Sequence, residues 1–381
     1  MKITSFLAVV LMGMLVVQAQ KKERARDFGI SFDGKPGTYN AITDVSGVLV
    51  GYKTNISGSG KKAVRTGVTV ILPTGQNDNS AYPAGYFSLN GDGEMTGTTV
   101  IDEYGLGYGP IGITNTNSVG VVRDAIGEWS SRKFSKGELV DFSFGLPVSA
   151  ETFDGMLNDI NGLHIKKEDV FEALDNAASG QVAEGNVGGG TGMSLFHFKG
   201  GSGTSSRVFK IDGKEYTVGA FVQGNFGGRK DLLISGVPVG KEITEAMPKF
   251  NSQKEKDGSI IVILATDAPL LPSQLKQMAK RASIGVARTG GFGYNSSGDI
   301  FLAFSTAAPK TNDKGTLQTW TALPKELLDP VYRSAALATE ESIINALMAA
   351  ETMEGYNGNI IYEIPKDKLK DVLKRYNRLG K

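Results

Sequence analysis

The sequence predicts an α+β fold built in layers, with sheets inside and helices outside. Three observations carry this. Strand-like and helix-like segments come in runs rather than in strict β-α-β alternation, and a purely β pattern is also absent. An unbroken apolar run, Ile260-Ile261-Val262-Ile263-Leu264, has the composition of a central strand. Fifty glycines are spread through 381 residues without a collagen-like period, and strong strands lie between them. They therefore signal tight turns and close backbone approaches, not disorder.

The elements follow in order. Strands are predicted at Gly47–Tyr52 and Gly67–Leu72, then near Ala84–Leu89 and Thr98–Ile101. A helix carries Val121, Ala125, Ile126 and Trp129, and a second starts near Ala150 with Glu151 in its first turn. A third runs from Lys167 to Ala178, with Val170, Leu174 and Ala177 at helical spacing. Met193–Lys199, Arg207–Ile211 and Tyr216–Gln223 read as strands, with Asp212-Gly213 as a hairpin turn. The strand beginning at Ser259 is followed by a helix that Pro272 opens and that presents Leu275, Met278, Ala279 and Ala282 on one face. A glycine-rich loop at Thr289–Ser297 leads into strand Ile300–Ser305, and helices at Leu327–Met353 and Lys366–Tyr376 complete the chain.

Composition narrows the chemistry. The chain is 40% hydrophobic, enough for a sizeable core, and its net charge of +1 favours neither nucleic acid nor an acidic surface as partner. Residues 1–19 read as a secretory signal: Lys2, the apolar run Phe6–Val17, and Val17-Gln18-Ala19 before the cut at Gln20. That run is shorter than the ~20 residues a bilayer demands, so no membrane attachment is expected after its removal. Cysteine is absent, which excludes disulfides, thiol nucleophiles and thiolate metal sites. The two histidines, His164 and His197, have no partner at metal-ligand spacing. His197 falls in the alternating Leu195-Phe196-His197-Phe198 and reads as a strand residue. An enzyme made from this chain is expected to work without metal, cofactor or catalytic histidine.

The chemistry-bearing feature is the junction Asp257-Gly258-Ser259-Ile260, where a charged stretch ends in glycine and a strand starts at serine. A chain cut there leaves Ser259 as an N-terminus, with a free α-amine titrating at about 7.7–8.0 beside its own hydroxyl. Nucleophile and base then share one residue. Uncut, Ser259 only marks a loop-to-strand transition. Asn295-Ser296-Ser297-Gly298-Asp299 has turn composition, yet at the mouth of its strand it would set Ser297 and Asp299 beside that amine. Asn225, at the end of another strand, is either a left-handed turn residue or an oxyanion donor worth about 3–4 kcal/mol. Glu151 is either a favourable first-turn carboxylate or a counter-ion for a substrate ammonium. Gly185–Met193 lacks the spacing and lysine of a phosphate loop and fits close backbone approach instead, and Ser57–Lys62 is a flexible loop.

Together these stretches resemble the L-aminopeptidase/D-esterase and β-peptidyl aminopeptidase family of self-processing hydrolases. The matching segments are Ala150–Gly162, Gly185–Met193, Gln223–Gly227, Gly258–Leu270 and Ser296–Thr306, in the family's order. The resemblance implies an αββα sandwich like that of N-terminal-nucleophile hydrolases, with different strand connections. It implies cleavage between Gly258 and Ser259 of one catalytic domain, giving an α chain 20–258 and a β chain 259–381. It also implies Ser259 as nucleophile, Ser297 and Asp299 as acid–base partners, Asn225 as oxyanion donor, Glu151 as binder of the substrate amine, no metal, and a homo-oligomer of αβ units. Two positions depart from the family pattern: many β-peptide-cleaving members carry glutamate at Asp299, and members carry tyrosine at Phe153, whose hydroxyl a phenylalanine lacks.

The expected function is therefore an exported, secreted or periplasmic, serine aminopeptidase or amidase that removes N-terminal residues from short peptides, amides or esters through an acyl-enzyme. Two other readings make different forecasts. An ornithine acetyltransferase-like enzyme, which self-cleaves at threonine, would move acetyl groups between ornithine and glutamate. A non-catalytic exported binding protein would stay one uncut chain.

Overall fold

The computed structural model describes residues 22–137, 145–251 and 258–380. The sequence-read signal at 1–19 and most of the charged stretch before Ser259 lie outside these residues. The elements are β1 (Leu49–Ser57), β2 (Val64–Leu72), β3 (Tyr82–Ser88), α1 (Thr98–Tyr104), β4 (Leu106–Gly107), β5 (Ile111–Asn115), α2 (Val119–Phe134), β6 (Val148–Thr152) and α3 (Lys167–Asp175). Then come β7 (Ser194–Leu195), β8 (Phe198–Lys199), β9 (Gly201–Ile211), β10 (Lys214–Asn225), α4 (Val239–Glu242), β11 (Ser259–Thr266), α5 (Pro272–Arg288), β12 (Asp299–Ser305), α6 (Asp329–Ala349) and α7 (Lys366–Arg375).

Two sheets stack between two helical layers. One has the order β1-β2-β5-β6, the other β4-β3-β12-β11-β10-β9. The run at Ile260–Leu264 shows how this sequence makes four layers. Successive strand residues point to opposite faces. Ile261, Ile263 and Ala265 therefore pack with Ile71, Ile111, Ile113 and Phe221 between the sheets. Ile260, Val262 and Leu264 pack with Leu275, Met278 and Ala282 of α5 and with Leu347 of α6. A strand buried on both faces has no polar alternation, as its composition predicts. On the other sheet, Val68, Val70 and Leu72 lie under Val122, Ile126, Val170 and Leu174 of α2 and α3.

Glycines permit the closest contacts. A Cβ on Gly203 of β9 would lie 2.1 Å from Ser342 O of α6, so only glycine lets this helix settle onto the strand. Helix α6 is buried without a break from Ser334 to Ala349. Its Glu341 is neutralised inside the protein by Arg207 at 2.7 Å and Arg26 at 2.8 Å. Among the described residues, no helix is long and apolar enough to cross a membrane.

Three sequence-based assignments need correction. Thr98–Ile101 looks strand-like because it is β-branched, but it opens helix α1, bounded by Gly97 (φ 75°) and Gly105 (φ 69°). Glu151 stands not on a helix but on β6, which runs parallel to the short strand β5, a strand the sequence did not announce. Pairing with a neighbouring strand overrides the local helical pattern there. Met193–Lys199 is not one strand but the hairpin β7–β8, whose turn is Phe196-His197, at φ 52° and 58°.

Candidate active site

Register gathers the site at one end of the six-stranded sheet. Antiparallel pairing sets Ser259, first residue of β11, opposite Asn225, last residue of β10. Parallel pairing sets Ile260 beside Asp299, first residue of β12. Three residues scattered over the sequence thus meet because three strands end together. Ser259 is 6% exposed, Asn225 7%, Ser297 4% and Asp299 1%, so the group is shielded but reaches a cavity.

The contacts around the Gly258–Ser259 peptide are specific. Ser297 Oγ donates to the carbonyl of Gly258 and lies 2.7 Å from Asp299 Oδ1. The Gly298 N–H donates to Ser259 Oγ at 3.0 Å. Asn225 Oδ1 accepts the Ser194 N–H at 2.7 Å, and its Nδ2 donates to Phe153 O at 2.9 Å. A Cβ built on Gly258 would fall 2.9 Å from Asn225 Nδ2, so this amide lies against the residue before Ser259. Asn225 ends a strand and is not among the residues with positive φ, which removes the left-handed-turn reading.

Asp299 is held from three directions. Its Oδ1 accepts the Ile260 N–H at 3.2 Å, its Oδ2 accepts Asn90 Nδ2 at 3.2 Å, and its own N–H donates to Asn90 Oδ1 at 2.6 Å. Burial raises its pKa, against the opposing pull of the hydrogen bonds from Ser297, Asn90 and the Ile260 backbone. Proton counting around Ser297 agrees. A hydroxyl carries one proton. If Ser297 gives it to Gly258 O, the short contact to Asp299 needs a proton on the carboxyl, and the chain Asp299–Ser297–Gly258 becomes a relay aimed at the carbonyl.

Glu151 comes from the other sheet and is 3% exposed. Its Oε1 accepts the Glu94 N–H at 3.0 Å and its Oε2 accepts the Thr116 hydroxyl. Gly93 lies between Glu151 and Gly298: a Cβ there would be 2.9 Å from Gly298 Cα and 3.4 Å from Glu151 Oε1. Burial raises the Glu151 pKa, and the carboxylates of Glu94 and Asp92 add a smaller push in the same direction. A cation beside the carboxylate would favour its charged form and so oppose these effects.

The cavity in front of the site encloses about 370 Å³ and is walled by Phe153, Phe226, Phe250, Phe292 and Tyr294, with Asn225, Ser297 and Asp299 at its floor. Phe153 also borders a second cavity of about 330 Å³, beside Thr116, Asp159 and Tyr356. The first is the size of a small ligand's site and combines apolar walls with convergent polar groups. Of the residues singled out from the sequence, Phe153, Asn225, Gly258, Ser297 and Asp299 line the first cavity. Ser259 lies behind its wall against Gly298, and Glu151 stands further back on Glu94 and Thr116. Sequence reasoning missed Asn90, Thr116 and Ser194, which orient the others. Asn90 sits in the turn-like Asn90-Gly91-Asp92-Gly93, and nothing local marks it or the other two as part of a site. His197, read as a strand residue, lines the cavity from the hairpin turn.

The profile of peptidase family S58 matches residues 40–361. The chain is 49% identical to the β-peptidyl aminopeptidase BapA of Sphingosinicella microcystinivorans, over 97% of each chain. It is 45% identical to the enzyme of the same name from Sphingosinicella xenopeptidilytica, over 92% of this chain and 91% of that one. Among solved structures, the L-aminopeptidase D-Ala-esterase/amidase of Ochrobactrum anthropi, described as a prototype serine aminopeptidase and a variant of the Ntn hydrolase fold, superposes with a TM-score of 0.88 at 45% identity, covering 94% of this chain and 100% of that one. The Burkholderia sp. β-aminopeptidase gives 0.84 at 44%, covering 92% and 98%.

Fold and similarity define a hydrolase, a serine-type aminopeptidase of the N-terminal-nucleophile kind. The chain belongs to peptidase family S58. The acetyltransferase and binding-protein readings are thereby set aside.

Proposed function

We propose that the protein cuts its own chain between Gly258 and Ser259 and then releases N-terminal residues from short peptides, amides or esters through an acyl-enzyme on Ser259. The observation that carries this is the convergence of Ser297, the Gly298 N–H and Asn225 on one peptide bond. In maturation, Ser259 Oγ attacks the Gly258 carbonyl carbon. The charge developing on Gly258 O is met by the Ser297 hydroxyl, with Asp299 protonated behind it. The hydroxyl proton of Ser259 passes to its own nitrogen as the C–N bond breaks, and water hydrolyses the resulting ester. This leaves a 20–258 chain ending in the Gly258 carboxylate and a 259–381 chain beginning with a free amine.

In turnover, that amine takes the proton of Ser259 Oγ as it attacks the substrate carbonyl and returns it to the leaving group. Ser297 sits beside the amine, since the carbonyl it holds before cleavage is bonded to the same nitrogen. Asn225 uses its remaining N–H for the oxyanion. Glu151 rewards a free substrate ammonium, which makes the enzyme an aminopeptidase. The relatives' names choose the first substrates to try: a β-peptide and an α-amino acid amide. Export by the segment 1–19, a single catalytic domain at 20–381, and assembly into a homo-oligomer of αβ units belong to the same reading.

A denaturing gel with N-terminal sequencing tests it. Wild-type protein gives two bands, the smaller starting at Ser259. Ser259→Ala stays whole and inactive. Two whole proteins hydrolysing an aminoacyl anilide equally would refute the mechanism.

A further inference from the structure

The hairpin Met193–Gly200 contains a buried amine that the chemistry above does not use. Lys199 is 0% exposed. Among the described residues no carboxylate pairs with it. Its Nζ donates to Met193 O at 2.9 Å and Gly200 O at 2.8 Å. Enclosing an amine without a counter-charge is costly, and an apolar side chain of similar length would avoid that cost. Burial drives its pKa well below that of an ordinary lysine. A neutral amine has two N–H groups, and these two carbonyls use both.

The peptide it holds is the one that orients Asn225. Met193 O and Ser194 N belong to the same planar unit, so fixing one fixes the other. The Ser194 N–H donates to Asn225 Oδ1 at 2.7 Å. Phe153 O, on the other side, accepts from Asn225 Nδ2 at 2.9 Å. Were the amide turned over, N–H would face N–H and carbonyl would face carbonyl. The Ser194 N–H is therefore a determinant of which end of Asn225 points toward Gly258. The hairpin does not rest easily in place. Its turn residues Phe196 and His197 both lie in the left-handed region, at φ 52° and 58°, which disfavours side chains of this kind. Strain of this sort persists where surroundings over-determine it, typically at functional sites. Here the surroundings are Arg229, which donates to Phe196 O and His197 O at 3.1 and 2.7 Å, the Gly200 N–H on Met193 O at 3.1 Å, and Lys199.

We propose that Lys199 is a positioning residue for the oxyanion site: it locks the Met193–Ser194 peptide, which locks the amide of Asn225 in its donating orientation. The inference rests on the reading of Asn225 as oxyanion donor.

A double-mutant cycle tests it, with kcat and KM measured on alanine and β-alanine p-nitroanilides. Lys199→Met is expected to lower kcat about 10-fold or more, short of the roughly 10²–10³ for losing an oxyanion donor outright, with KM within about 2-fold. In an Asn225→Ala background the same change is expected to move kcat by less than about 2-fold, because its route is already gone. Independent, multiplying losses would overturn the assignment. Lys199→Gln, which keeps an N–H donor at shorter reach, should fall between wild type and Lys199→Met, and it stands in for the methionine variant should that one not fold. Failure of both to fold would place Lys199 in the fold rather than the site and overturn the proposal. If Ser259→Ala retains wild-type activity, the functional reading fails separately. The positional claim is then judged by a crystal structure of the Lys199 variant, where the Ser194–Asn225 bond should open beyond hydrogen-bond reach and an unchanged bond refutes it.

Discussion

Replacing Gly258 by alanine should separate maturation from catalysis. A Cβ at this position would lie 1.5 Å from Asn225 O, 2.5 Å from Asn225 C and 2.9 Å from Asn225 Nδ2, where real contacts essentially never close below 3.0 Å. Residue 258 and the end of β10 must therefore part by about 1.5 Å, since the backbone oxygen has no rotamer to escape into. That displacement takes the scissile carbonyl away from the Ser297 hydroxyl and away from Ser259 Oγ. An attack that needs its atoms at about 3–3.5 Å loses roughly 10²-fold for a misplacement of about 1 Å. Gly258→Ala should thus self-cleave at least about 100-fold more slowly, followed as the loss of full-length band with time. Once cut, residue 258 is a free chain end and no longer constrains the nucleophile. The fraction that has matured should show wild-type kcat and KM per Ser259 terminus. Maturation at the wild-type rate would show that the packing of Gly258 against Asn225 does not set the attack geometry. A matured variant with crippled turnover would show that residue 258 also serves the mature site.

Three further outcomes are expected. Glu151→Gln should lower kcat/KM for substrates with a free amine by about 10- to 150-fold, the worth of a hydrogen bond to a charged group at about 1.5–3 kcal/mol, while N-acetylated esters should be affected little. Asp154, buried beside Phe153, has its pKa pushed up to about 7 by burial. A carboxyl raised in the folded state adds stability that is complete below its unfolded pKa and is lost as pH climbs through about 7, to a limit of roughly 4 kcal/mol for a rise of this size. Asp154→Asn should therefore flatten the fall in melting temperature between pH 4 and 8, and an unchanged profile would count against a neutral Asp154. Glu341→Leu strands Arg207, whose side chain is 1% exposed, and should cost about 3–5 kcal/mol by denaturant melts while the Ser259-dependent activity of the folded fraction persists.

Local chemistry was legible wherever a feature depends on neighbours in sequence. The apolar run after Ser259 reads as a buried strand because both faces of β11 meet apolar layers. Pro272 marks the start of α5 by removing an N–H that a helix start does not need. The same local reading failed for Glu151, because the partner that makes its segment a strand, β5, lies about 40 residues earlier. It failed for His197, because a left-handed turn at Phe196-His197 carries none of the glycine or asparagine that normally announces one.

Residue types alone determined that this chain works without thiols and that a serine poised behind glycine opens a central strand. Only the folded chain decided that Asn225, Ser259 and Asp299 stand side by side, that Glu151 approaches from the opposite sheet, and that the Asn90 side chain holds Asp299 while the Ser194 N–H holds Asn225. The reason is geometric: strand register and sheet stacking are set by contacts between distant segments, and no short stretch of sequence contains both members of such a pair.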